Sequence, residues 1–319
     1  MLWPRQALTG RPRLETAVVR ELEALDRGER PDLVTDVVVI QRPLWRKVAD
    51  IIPGLRDRGI AVVVDLDDDF AALHPGHPAH QQLDEDTNAG HLARACAAAD
   101  LVTAPTEALL TRYAPHGRGA LIGNYLPRWA LDVADRGNGR TLGWSGVAAD
   151  HPGDLEDTGG AVGAVLRRNR ARFHVVGPPE GVASRLGLDE PAWGTGMLSI
   201  RDYFDALGTI DVGIVPLAPT MFNAAKSPLK GIEWGAAGVP FIASPTPEYE
   251  WLAEQGLGTI AHTPEEWERK LSELLGDVAL RRRLAEEGIK LVADRFLLET
   301  NAWRWMNAWE QARENRRRY

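Results

Sequence analysis

Lys226, Ser227, Lys230 and Glu233 stand close together in DVGIVPLAPTMFNAAKSPLKGIEWGAAGVPFIAS, the segment from Asp211 to Ser244. Two ammonium groups flanking a helix start suit an anion, most simply a phosphate, because free backbone N–H groups and the helix dipole attract the same charge. Glu233 follows Lys230 by three residues on one helical face. A carboxylate there accepts hydrogen bonds, as from sugar hydroxyls. Together these groups predict a nucleotide-sugar pocket. The segment reads as a buried strand (Val212–Leu217), a loop, a short helix and a second buried strand (Val239–Ala243). Ser227 suits the N-cap, Pro228 the first helical position, and Gly238 the C′ position with Pro240 following.

Three further groupings carry chemistry. In GWSGVAADHPGDL, Gly143, Ser145 and Gly146 end a strand, where small residues let the backbone approach a second phosphate oxygen. His151 is the nearby base and reads equally as a solvated loop residue; Asp154 stands near the next helix start. In VVVDLDDDF, Asp65, Asp67, Asp68 and Asp69 cluster at a strand end, where carboxylates bind Mg²⁺ or Mn²⁺, orient hydroxyls, or cap the next helix, a role that suits Asp69. Arg42 ends the first long strand and is placed either to touch a second substrate or to pair with a carboxylate. HPGHPAH brings His74, His77 and His80 together, but its prolines break any helix that would align the rings, so it reads as a structured loop.

These residues need a scaffold, and the chain has the size for one. At 319 residues it divides naturally into two domains. Its 44% apolar and 26% charged residues are those of a soluble globular protein, and a net charge of −8 argues against nucleic-acid or anionic-membrane binding. The Arg-rich end (Arg313, Arg316, Arg317, Arg318) is a local exception and reads as a solvated helix terminus. A single cysteine, Cys96, excludes a disulfide framework and Cys-based zinc sites and fits a reducing cytoplasm. No apolar run reaches the ~18 residues of a membrane span, and MLWPRQALTGRPR lacks the apolar core of a secretion signal, so a cytoplasmic protein is expected.

Apolar runs alternate with helical patterns, which predicts an α/β protein with parallel sheets. In the first half the strands are Asp36–Gln41, Ile60–Leu66, Leu101–Ala104 and Ala120–Ile122, with helices over 44–56, 91–98 and 106–113. After a Gly/Asn-rich linker ending at Gly139 come strands Thr141–Ser145, Phe173–Val176, Met197–Ile200, Val212–Leu217, Val239–Ala243 and Gly258–Ile260. Helices over 154–169, 201–207, 264–275 and 278–295 fill the gaps. Trp303, Trp305 and Trp309 in the last segment mark an apolar helix face.

On these residues the chain resembles the GT-B glycosyltransferases, and the family 4 type in particular. Pro216, Glu233, Gly238, Pro240, Ile242 and Ser244 match the donor-side motif, and DVVVIQRPLW, AVVVDLDDDF, ADLVTAPTEALLTRY and LIGNYLP follow the order of the acceptor-side half. The resemblance implies two Rossmann-like domains whose parallel sheets face each other across a cleft. Residues 1–135 would form the acceptor side and 136–300 the nucleotide-sugar side, with 301–319 a Trp-rich helix packing back on the body. It implies transfer of a sugar from a nucleoside-diphosphate donor, with retention of configuration favoured. Glu233 would hold the ribose, and Asn223, Lys226, Ser227 and Lys230 the diphosphate opposite Gly143, Ser145, Gly146 and His151. Ala225 stands where the family usually has a second Glu that contacts the sugar, although Asn223, Lys226, Ser227 and Lys230 match a pattern found in part of the family.

Asp67 and Asp69 spell the DxD of metal-dependent GT-A enzymes, but a GT-B enzyme needs no such metal. Asp67 and Asp68 are therefore read, with Lys230, as reaction-centre residues, and Arg42 and Asp67 as facing the acceptor. No cofactor or metal is expected beyond the donor itself. The acceptor stays open among protein, modified nucleobase and small molecule. The Ala-, Arg- and Gly-heavy composition suggests a compact bacterial or phage variant. A catalytically silent nucleotide-sugar-binding protein and a nucleotide-sugar epimerase of related fold are the alternatives.

Overall fold

In a computed structural model of the chain, which describes residues 2–8, 14–18, 22–29 and 34–318, the strands form two separate parallel sheets. In the first, β1 (Val37–Gln41), β2 (Ala61–Asp65), β3 (Leu101–Ala104) and β4 (Gly119–Leu121) lie side by side in chain order. Helices Arg46–Asp57, Ala89–Ala98 and Glu107–Tyr113 make the crossovers. The run AVVVD of β2 is apolar because both faces of the strand are covered. Val62 and Val64 join Ile52, Leu55 and Leu92 on one face, and Ala61 and Val63 join Leu101 and Trp305 on the other. The stretch before Asp36 lies partly outside the described residues; what is described of it includes helices Leu2–Leu8 and Leu22–Asp26.

The second sheet has six strands in the order β10-β9-β8-β5-β6-β7. Its strands are β5 (Thr141–Ser145), β6 (Arg172–Val176), β7 (Trp193–Gly194), β8 (Val212–Val215), β9 (Phe241–Ala243) and β10 (Thr259–Ile260). The chain runs outward from β5 to β7 and then returns to the other side of β5. That reversal opens a crevice at the carboxyl ends of β5 and β8, the place where open α/β sheets take ligands.

Two expected elements differ. Met197–Ile200 is not a strand, because the Ser199 hydroxyl caps the helix Ile200–Leu207, and the edge strand falls earlier, at Trp193–Gly194. The helix expected over 154–169 is divided into a 3₁₀ turn, Leu155–Thr158, and a helix, Ala161–Asn169. Gly159 and Gly160 between them adopt φ of +57° and +81°, which ends the first turn.

Leu126 and Leu297 pair where the chain leaves the first sheet and where it comes back. The helix Trp303–Arg318 then packs on β1, β2 and β3. Trp305, Ala308 and Ala312 face the sheet, while Trp303 is half exposed. The tryptophan helix thus covers this face of the first sheet together with Leu8 and Leu298. Tyr319, the last residue of the expected C-terminal segment, lies outside the described residues. No helix among the described residues is long and apolar enough to cross a membrane. Trp305→Ala should cost about 3–5 kcal/mol of unfolding free energy, the usual loss for a buried Trp, read by chemical denaturation. The same change at exposed Trp303 should cost far less.

Candidate functional site

At the crevice between β5 and β8, four side chains form one hydrogen-bonded network. The Tyr203 hydroxyl lies 2.7 Å from Glu233 Oε2 and 3.2 Å from Ser145 Oγ. Lys230 Nζ donates to the Tyr203 oxygen at 3.0 Å and lies 3.2 Å from Glu233 Oε2. Ser145 ends β5, Tyr203 comes from the helix Ile200–Leu207, and Lys230 and Glu233 share a face of the helix Leu229–Ala236. Burial pushes the Lys230 ammonium down, but the Glu233 carboxylate and the Tyr203 hydroxyl outweigh it and hold the pKa above its ordinary value. Burial, then the Glu233 charge, raises the Tyr203 phenol. The network thus holds a fixed positive charge beside a carboxylate and two hydroxyls. Tyr203 is the one member the sequence reading missed. Its only signal was its place on the inner face of an amphipathic helix, which reads equally as core.

The loop between β8 and that helix leaves its own lobe. Phe222 and Ala225 are buried in the apolar cluster of the first sheet, and the Phe222 ring meets His77 edge-on. Thr106 Oγ1 donates to the Ala225 carbonyl at 2.9 Å, and Asn124 Nδ2 to Ser227 Oγ at 2.6 Å. Ser227 is therefore not the helix cap. Its hydroxyl accepts from Asn124 across the lobes, and the helix starts one residue late, with Pro228 at the N-cap position. Gly238 does sit past the helix end with φ +67°. The two lysines part company here: Lys226 Nζ lies over the Phe222 ring (4.4 Å) and 3.6 Å from Asp68 of the first lobe.

Between the lobes lies a cavity of about 460 Å³, lined by Arg42, Asp68, His77, Asp150, His151 and Lys226 among others. Arg42 adopts φ +49°, rare for a side-chain-bearing residue, and its guanidinium is 3.5 Å from Asp67. The other Asp67 oxygen is buried without a partner among the described residues. Burial, then the Asp68 charge, raises the Asp67 pKa. Asp69 stands before a 3₁₀ turn but does not cap it, because its carboxylate pairs with Arg112 and accepts from Tyr113 Oη at 2.9 Å. His74 and His77 each turn Nδ1 to a backbone N–H two residues on, at 2.9 and 3.0 Å.

On the second-lobe side His151 Nδ1 lies 2.8 Å from Asp154 Oδ2. Asp154 is itself buried, and its other oxygen accepts from the Ala218 N–H (2.9 Å) and from Asn223 Nδ2 (2.6 Å). Asn223, expected at the diphosphate, thus ties the loop after β8 to the loop after β5. Gly143 lies inside β5 and not at its end. A Cβ there would sit 2.3 Å from Ile210, so its small size serves packing. Gly146, with φ +154°, is the glycine at the strand end, its backbone so close to Gly177 that a Cβ on Gly177 would meet the Gly146 carbonyl at 2.2 Å.

No protein-family model and no curated protein sequence matches this chain. Solved structures do. TarM of S. aureus aligns with a TM-score of 0.64 and 12% identity over 90% of this chain. HepE of Anabaena, solved with UDP, aligns with a TM-score of 0.63 and 15% identity over 90% of this chain and 80% of its own. Sucrose-phosphate synthase of Thermosynechococcus elongatus aligns at 0.62 and 15% identity over 95% and 82%. The chain spans only 58% of the length of TarM. At such identity the likeness establishes the fold: two parallel Rossmann-like sheets in the GT-B arrangement.

The carboxylates at the end of β2 leave a pH signature. Asp65 accepts from Thr103 Oγ1 at 2.6 Å, yet burial lifts its pKa from 3.8 to about 6. The folded protein holds this proton more tightly than the unfolded chain does. The stability it contributes is therefore complete below pH 3.8 and is lost as the pH rises through about 6. Asp65→Asn keeps an acceptor for Thr103 and carries no charge. Relative to the wild type it should gain up to about 3 kcal/mol in urea unfolding above that window, and little at pH 4. An equal difference at both pH values would show that Asp65 is not the titrating group.

Proposed function

We propose that the chain is a glycosyltransferase of the family 4 type that moves a sugar from a nucleoside diphosphate to an acceptor bound between the lobes. The observation that carries this is the Ser145–Tyr203–Lys230–Glu233 network at the sheet's switch point. A carboxylate with hydroxyls suits a ribose, and a permanently charged ammonium suits a diphosphate. The GT-B fold of the neighbours, one of them solved with UDP, supports the same reading. As the bond to the sugar breaks, negative charge grows on the departing diphosphate. Lys230, and Lys226 once it turns from Asp68, meet that charge without a metal ion and without reorganising solvent. Asp68 then orients acceptor hydroxyls from the first lobe, with Arg42, paired to Asp67, beside it. Retention of configuration and a cytoplasmic site of action are part of the proposal.

Removing both ammonium groups tests the pocket directly. Lys226→Ala combined with Lys230→Ala should weaken the donor by at least about 100-fold in calorimetry, since each charge-assisted contact contributes about 1.5–3 kcal/mol. UDP-, GDP- and TDP-sugars form the panel, and thermal shift selects the donor. Unchanged affinity in the double variant would overturn the assignment. A wild type that binds a donor and neither transfers nor hydrolyses it would favour a silent binding protein.

A further inference from the structure

Among the described residues two other than glycine have left-handed backbone, and the fold explains only one of them. Arg170, at φ +49°, ends the helix Ala161–Asn169, where that conformation is an ordinary way to stop a helix. Arg42, also at φ +49°, follows strand β1 and ends no helix. Its neighbours hold it there. The Arg42 N–H donates to the Asp65 carbonyl at 3.1 Å, and the Arg42 carbonyl accepts from the Leu44 N–H at 2.8 Å across Pro43. Strain that the surroundings enforce in this way gathers at ligand clamps. The side chain so placed lines the interlobe cavity. Its guanidinium makes no hydrogen bond among the described residues. The ion pair with Asp67 runs through Nε at 3.5 Å, with the side chains 48% and 41% exposed. A pair that long and that exposed contributes little. The two terminal nitrogens remain a planar fork of N–H donors, which a carboxylate or a phosphate matches with two parallel bonds.

We infer that the acceptor carries an anionic group, a phosphate monoester or a carboxylate, and that the Arg42 fork takes it; the inference rests on the function proposed above. Arg42 and Asp68 line the same cavity from the ends of neighbouring strands, β1 and β2. They divide the acceptor between them, the guanidinium holding its anionic end and the carboxylate its hydroxyls. Asp68 is free for that task once the donor diphosphate draws Lys226 away from it. A neutral acceptor would keep the hydroxyl contacts and leave the fork unpaired, so the anion sets specificity. The cavity volume of about 460 Å³ is that of a small-molecule site.

The test uses the full chain with its donor site filled, because Lys230 would also take a free anion. UDP, GDP or TDP is selected by thermal shift and added to saturation. Inorganic phosphate and acetate, one probe for each anion class, are then titrated by calorimetry at constant ionic strength. Arg42→Gly accepts the φ of +49° without strain, so it should fold and keep its affinity for the nucleoside diphosphate. Its affinity for the bound anion should fall at least about 10-fold, the loss expected for a charge-assisted contact. Arg42→Lys keeps the charge without the fork and should restore only part of that affinity. An Arg42-dependent site that prefers phosphate makes the acceptor a phosphate monoester, and one that prefers acetate makes it a carboxylate. Saturable binding of neither anion, or a smaller loss in Arg42→Gly, overturns the inference and leaves the proposed function standing. A chain that binds none of the three nucleoside diphosphates overturns the proposed function and the acceptor assignment with it.

Discussion

The loop after β8 belongs to one lobe by sequence and to the other by packing, and the geometry of the cleft depends on that. Phe222 and Ala225 enter the apolar cluster built on the first sheet. Burying a Phe side chain is favourable by about 1.5–3 kcal/mol, and it is not the only tie. The Ala225 carbonyl and the Ser227 hydroxyl accept hydrogen bonds from Thr106 and Asn124 of the first lobe. Asp154 holds the same loop from the other side, through Ala218 and Asn223. The start of the Lys230 helix is thereby fixed against both sheets at once.

This seating separates two kinds of charge. Lys230 sits in a network of hydroxyls and a carboxylate on the second-lobe side, and its partners keep it protonated. Lys226 lies over an aromatic ring and faces Asp68 across the cavity at 3.6 Å, where both groups keep some exposure. The first is preorganised, because its partners come from packed secondary structure. The second is exchangeable, because a pair at that distance in a wet cavity contributes little and an anion can take Lys226 from Asp68. A charge fixed by packed partners beside an exchangeable one is suited to holding an anion and then releasing it.

What was legible in the sequence follows the physics of burial. Leu101–Ala104 and Thr141–Ser145 were readable to the residue, because strands covered on both faces are short apolar runs with sharp ends. Lys230 and Glu233 were readable as a pair, because helix periodicity puts them on one face. The errors share a cause as well. Ser227 has the chemistry of an N-cap, but Asn124, far away in sequence, engages its hydroxyl. MLSI at 197–200 has the composition of a strand, yet Ser199 caps a helix there. Tyr203 could not be told from a core tyrosine until β5 and the Lys230 helix were brought beside it. Local preference decides elements; long-range partners decide which side chains are engaged.

Ala225 also belongs to this seating of the loop. Its side chain is 5% exposed and lies in a cluster that includes Phe70, Leu109 and Phe222. A carboxylate carried into that apolar cluster would lose its hydration, with Lys226 over the Phe222 ring at the cluster's edge. Seating the loop in the first lobe therefore disfavours a Glu at this position. The small residue allows the seating, and the acidic groups left to line the cavity are Asp68 from the first lobe and Asp150 from the loop after β5. The carboxylates that line the cavity thus come from either side of the cleft, so they converge on a ligand only while the lobes are held together. The tie that holds them is the loop that Ala225 allows to pack.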